Sequence, residues 1–184
     1  MHTPVPEREE REDGFTLIEL MVVVLIMGIL MAIAIPTFLS TTNGANKSAA
    51  TSNLTNALTD AKAVYDSSSQ SFGSTTSLVS ALSSAEPNFS FTSSAASASA
   101  GNNVVSVWVN ASGSEVVLAA QAKGTNDCYY TDDVESGTTS KSGKLTGPGA
   151  VYASNVKQTS CSAASPSPSS SGWSTTEAKG WAAN

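Results

Sequence analysis

One carboxylate stands inside an apolar run in this chain. Glu19 lies within Gly14-Phe15-Thr16-Leu17-Ile18-Glu19-Leu20, the opening of a stretch that continues to Ile35, and no side chain from Leu20 to Asn46 is charged. An acid at the centre of a lipid-buried helix costs roughly 2.5 to 3.5 kcal/mol and less near an interface, so it marks a functional site whose partner must be named. Two further groups have chemistry to offer. Cys128 and Cys161 are the only cysteines, and Asp127, Asp132, Asp133 and Glu135 crowd together as hard oxygen donors of the kind that hold calcium. Catalysis is hard to build from what is left. His2 is the sole histidine and Arg8 and Arg11 the sole arginines, all ahead of Gly14. Beyond Gly14 there is neither an imidazole base nor a guanidinium clamp, which rules out Ser/His/Asp catalysis and histidine metal ligation there. No catalytic residue and no cofactor is expected.

The apolar run decides what must position Glu19. Phe15 to Ile35 has the length of a membrane-spanning helix, for which about 20 apolar residues suffice. A secretory signal has a basic front, a shorter apolar stretch and a small-residue cleavage site behind it. This run is too long, and Pro36 blocks cleavage behind it. The polar segment lies in front and ends at Gly14, an order that suits removal of the leader while the greasy helix stays. A plain membrane anchor is the simpler alternative, but it gives Glu19 no role.

At Gly14, Phe15, Thr16, Leu17, Ile18 and Glu19 the chain resembles the type IV pilin family, whose precursors carry a short leader ending in Gly followed by Phe-Thr-Leu-Ile-Glu. Gly28 and Pro36 also fall where many pilins have helix-loosening residues. The resemblance covers roughly residues 14 to 40. It implies that a membrane prepilin peptidase and methyltransferase cuts between Gly14 and Phe15 and methylates the new Phe15 amine. Cleavage would place an ammonium four residues before Glu19, and two buried opposite charges are tolerable only as a pair. The pair can form within one subunit; the resemblance implies instead that Glu19 of an incoming subunit meets the Phe15 amine of its neighbour. Gly28 and Pro36 would then let the helix loosen in the filament, against the alternative of a simple kink. The leader departs from the family by being acidic, with Arg8 and Arg11 outnumbered by Glu7, Glu9, Glu10, Glu12 and Asp13. Acids contribute little to the positive-inside bias, so two arginines still orient it.

The formal charge is −6, and the leader's five acids and two arginines account for −3, leaving −6 − (−3) = −3 beyond Gly14. The domain behind the membrane span is exported on this reading, and in an oxidising compartment an even pair of cysteines reads as a disulfide, with two free thiols as the alternative. Along the chain we expect a leader at 1–14, a membrane and filament-core helix at 15–36, and an amphipathic continuation at 37–66. A Ser/Thr-rich connection comes next at 67–103, with a short helix near Thr76 to Ala85. An antiparallel sheet with a disulfide-bounded region occupies 104–161, and a Ser/Pro-rich tail 162–184. Strands are expected at Val104 to Val109, Glu115 to Ala122, Cys128 to Thr131 and, more weakly, Val151 to Ala153. Leu39, Leu54, Leu58, Ala61 and Tyr65 fall near one helix face, so the continuation is expected to pack under the sheet. The fold class is α+β, one long N-terminal helix of about 75 Å on a small antiparallel sheet closed by Cys128 and Cys161.

Two weaker signals have bland explanations. The acids at Asp127, Asp132, Asp133 and Glu135 lack an EF-hand spacing, strand alternation would separate Asp127 from Asp133, and a solvated acidic loop is the preferred reading over calcium. Lys141, Lys144 and Lys157 could form a small basic patch, but the chain beyond Gly14 is mildly acidic and has no arginine, so nucleic acid is not an expected partner. Trp173 and Trp181 interrupt the tail, either stapling it to the sheet or lying free. The reading is a precursor that sits in the cell membrane with one span and then enters a cell-surface pilus. Its partners are other copies of itself in a helical homopolymer, the peptidase, and the membrane assembly machinery with its ATPase, as the resemblance implies. A pseudopilin or minor pilin of a secretion or DNA-uptake system is the alternative within the family. An anchored enzyme or a binding module on a stalk are the alternatives outside it.

Overall fold

Leu17–Ser67 form one continuous helix, α1, because Phe15 to Leu39 is almost wholly apolar and uncharged and Thr51 to Tyr65 keeps a 3.6-residue apolar rhythm. The computed structural model describes residues 14–93, 101, 103–137, 139–155, 158, 161–166 and 173–176. The chain divides after Ser40 into two units. The first contains the front of α1, where every side chain from Gly14 to Ser40 is exposed. The leader residues Arg8 and Arg11, with Lys157 and Trp181, lie outside the described residues.

The second unit begins with the back of α1, which buries Ala50, Leu54, Ala57, Leu58 and Ala61. Helix α2, Thr75–Ala85, opens at a reciprocal cap: Ser74 Oγ accepts from the Ser77 amide at 3.2 Å and Ser77 Oγ accepts from the Ser74 amide at 2.9 Å. Five strands come after it: β1 Ser90–Thr92, β2 Val104–Val109, β3 Glu115–Ala122, β4 Asp127–Val134 and β5 Gly149–Asn155. They lie in sheet order β1-β2-β3-β4-β5, with every pairing from β2 to β5 antiparallel. β2 and β3 have the extents expected from their Val-rich runs. β4 and β5 extend past the expected segments, since pairing with neighbours recruits residues such as Asp132 and Asp133 that have no strand preference of their own. β1 was not expected; three residues paired parallel to β2 carry no signal of periodicity. The β2–β3 turn is closed by Asn110 Oδ1, which accepts from the Ser114 amide at 2.9 Å. Gly113 is required there: φ is +70°, and a Cβ would stand 2.2 Å from Ser71 Oγ.

Side-chain alternation splits the core into two layers. On the helix side Val105, Val107, Leu118 and Tyr129 pack with Leu54 and Leu58. On the outer side Val117, Ala119, Tyr130 and Val151 pack with Cys161, Ala163 and Trp173. β3 and β4 are therefore buried along their whole length on both faces. The outer layer depends on Cys128–Cys161, whose Cα atoms are 5.5 Å apart and which ties the chain after β5 to β4.

Candidate assembly site

Four residues, Phe15 to Ile18, separate Gly14 from Glu19, and all of them are exposed. Thr16 caps α1: its Oγ1 accepts from the Glu19 amide at 3.3 Å, and Glu19 Oε2 accepts from the Thr16 amide at 3.0 Å and from Thr16 Oγ1 at 2.8 Å. This is a capping box of Thr-x-x-Glu type, which satisfies donors that a helix start leaves open and sets a negative charge at the positive end of the helix dipole. Sequence reasoning assigned Glu19 to a neighbouring subunit and missed this local role, although the Thr16-Leu17-Ile18-Glu19 spacing is its signature. Phe15 is 83 % exposed.

Behind this cap the helix is apolar on all sides and covered on none. Leu20, Leu25, Ile29 and Ile33 are all exposed, and the helix is long and apolar enough to cross a membrane. Nothing lies within 4 Å of a Cβ built at Gly28, so the chain's own packing does not demand glycine there. Pro36 lies inside the helix and supplies no amide for the Ala32 carbonyl. One turn is reinforced from the side instead: Thr37 Oγ1 donates to the Ile33 and Ala34 carbonyls at 3.2 and 2.9 Å.

The prokaryotic N-terminal methylation motif matches residues 11–35, spanning the end of the leader, Gly14, Phe15, Glu19 and the start of the apolar helix. The motif supports a prepilin of the type IV pilin family. No match to the chain emerged among curated proteins or among solved structures. The motif points to a structural protein, to processing of the prepilin by a prepilin peptidase, and to a membrane-anchored precursor.

In the second unit the expected solvated acidic loop is not found among the described residues. Asp127, Asp132 and Asp133 are strand residues of β4 and all are buried. Nor are Asp127 and Asp133 parted by alternation: six residues apart, they share the helix side of the sheet at opposite ends of the strand, and Asp132 is the one turned away. Lys47 Nζ meets Asp127 Oδ2 at 2.7 Å, and Lys62 Nζ meets Asp133 Oδ1 at 3.0 Å and Glu135 Oε1 at 3.1 Å. The two lysines are about 22 Å apart along α1 and the two aspartates about 20 Å apart along β4, so the two ion pairs match in spacing and hold the axial register of helix on strand. Burial pushes Asp133 up to about 6; Lys62 opposes that rise and Glu135 adds to it. Burial alone would lower Lys62, but Asp133 and Glu135 together hold it above its ordinary value. Tyr129 is pushed up to about 12 by burial, with Asp127 beside it adding to the rise.

Asp133 and Glu135 meet at Lys62 while Asp127 and Asp132 stand apart from them, and among the described residues no three His, Cys, Asp or Glu side chains are grouped as metal ligands would be. Of the sparse lysines, Lys141 lies 4.1 Å over the Trp108 ring. Trp173 does staple the tail: it is buried, its ring centroid 6.2 Å from that of Tyr130, and Ser174 next to it exchanges backbone hydrogen bonds of 2.7 and 2.8 Å with Tyr152 of β5. The disulfide expected from cysteine parity is present, and no free cysteine remains among the described residues.

Proposed function

We propose that the prepilin is a structural subunit of a type IV pilus filament, cut between Gly14 and Phe15, N-methylated at Phe15 and polymerised through the front of α1. One observation carries this reading: a helix front exposed on every side and apolar throughout, with a lone carboxylate five residues beyond Gly14. Water does not tolerate such a surface, and lipid tails or a bundle of like helices do. Lipid is already apolar, so close packing and the charge pair, rather than hydrophobic gain, set which helices associate. Until the cut, Glu19 accepts from Thr16 of its own chain. Cleavage puts an ammonium one residue before that donor, and in the filament the Glu19 carboxylate answers the Phe15 amine of a neighbouring subunit, selecting the axial register. Gly28 and Pro36 mark where the helix loosens in the packed filament.

Mass spectrometry of protein sheared from the cell surface tests the whole reading. A major subunit dominates that fraction and begins at methylated Phe15, whereas a pseudopilin or minor pilin is scarce there. Recovery with Met1 to Gly14 still attached would overturn the proposal. Glu19→Val is expected to be cut normally and to reduce filament yield at least tenfold; normal filaments from that variant would remove Glu19 from assembly.

A further inference from the structure

A second acidic pair lies on the outer side of the sheet, away from the ion pairs that hold α1. Glu115 of β3 is 3 % exposed and Asp132 of β4 fully buried. Across this face Trp108, Val117, Asp132 and Val151 sit in register on four successive strands, so Asp132 is the one charged group in an otherwise apolar row. The segment from Ser140 to Leu145 folds over the pair. The Lys141 amide donates to Glu115 Oε1, and the Ser142 amide donates to Asp132 Oδ2 at 2.8 Å. Ser140 Oγ holds the segment in shape, 2.8 Å from Ser142 Oγ and accepting from the Leu145 amide at 3.0 Å.

Asp132 Oδ1 is buried with no hydrogen-bond donor among the described residues, and the Asp132 side chain interacts with the Glu115 carboxyl. Two carboxylates in contact can hydrogen-bond only through a proton held between them. The other charged groups at hand are few. Lys141 acts on Glu115 but its ammonium lies over Trp108, Lys144 is the second lysine of the segment, and β2 and β5 offer the uncharged Trp108 and Val151. We infer that Glu115 and Asp132 form a proton-binding site, and that their shared proton latches the Ser140 to Leu145 segment onto the sheet. With the proton in place the pair carries one negative charge, which two backbone amides can serve. Losing it leaves two buried like charges beside each other, and the segment must lift to admit water.

Burial sets the sign. Glu115 is pushed up to about 7, chiefly by desolvation, with the Lys141 amide opposing and Asp132 adding to the rise. The latch is therefore closed in mild acid and opens as pH rises through neutrality. Amide resonances of Lys141 and Ser142 in the full-length protein in detergent micelles, followed from about pH 5 to about pH 8.5, test this. Both are expected to shift together with one midpoint near neutral. In Glu115→Gln the side-chain amide donates to Asp132 without a proton, so both resonances are expected to stay put over that range. Asp132→Asn offers the same substitution from the other partner should the first variant fail to fold. Asp133→Asn, on the opposite face, is expected to leave the midpoint unchanged. Static resonances in the unaltered protein, a shift that survives both amide variants, or a midpoint that follows Asp133 would each overturn the inference.

Discussion

The front and back of α1 belong to one helix and live by opposite rules. From Gly14 to Ser40 no side chain is covered, whereas Ala50, Leu54, Ala57 and Ala61 are fully buried in the second unit. The back is small and apolar on one stripe and carries Lys47 and Lys62 beside that stripe, so it has one way to sit on the sheet. The front is large and apolar all round, carries one acid, and is exposed along its length. A stripe is made for a fixed partner in the same molecule; an all-round apolar surface is made for lipid or for many like helices.

Substitutions can break this contrast directly. Leu54→Ala is expected to destabilise the second unit by about 3 to 4 kcal/mol through lost burial and an unfilled cavity. Leu25→Ala at the front is expected to leave unfolding of that unit unchanged. Denaturant titration of both variants in detergent checks the pair, and equal effects would dissolve the distinction between the two halves. Removing the disulfide with Cys128→Ser and Cys161→Ser together should cost roughly 2 to 4 kcal/mol, read in the same titration. Far-ultraviolet helicity of the front is expected to persist.

Lys62→Met tests the ion pairs at the Asp133 end of β4 and leaves Asp133 and Glu135 without their cation. The expected loss is about 1 to 2 kcal/mol, less than for a fully buried pair because the Lys62 side chain is 43 % exposed. The smallest effect is one of slope. Asp133 keeps its proton up to about 6 in the folded chain, against 3.8 for an ordinary aspartate. Its contribution is therefore fully present below about pH 4 and is lost as pH rises through about 6, at no more than about 1.4 kcal/mol per pH unit. Stability measured across that window should flatten in Asp133→Asn; an unchanged slope would show that Asp133 titrates as an ordinary exposed acid.

Much of the architecture was legible in the residues. An uncharged run of membrane length and a 3.6-residue stripe specify α1, and Val-rich alternation with turn residues between specifies β2 and β3. The Cys128–Cys161 link came from parity. Glu19 stood out as a lone acid, but its bond to Thr16 was overlooked even though Thr16-Leu17-Ile18-Glu19 spells it. Other features were not written locally at all. β1 exists because β2 offers an open edge, and three residues have no period to detect. Asp127, Asp132 and Asp133 read as a soluble charge run because nothing near them in sequence announces Lys47, Lys62 or the amides of Lys141 and Ser142.

The order of residues by itself determined the greasy stem, the cut-site motif ahead of it and the alternation of the strands, since these depend on neighbours within a few positions. Tertiary structure alone decided which way each acid of β4 turns and what meets it. Successive strand residues point to opposite faces, and the free energy of a buried carboxylate is set by cations, amides and protons brought to it from distant parts of the chain.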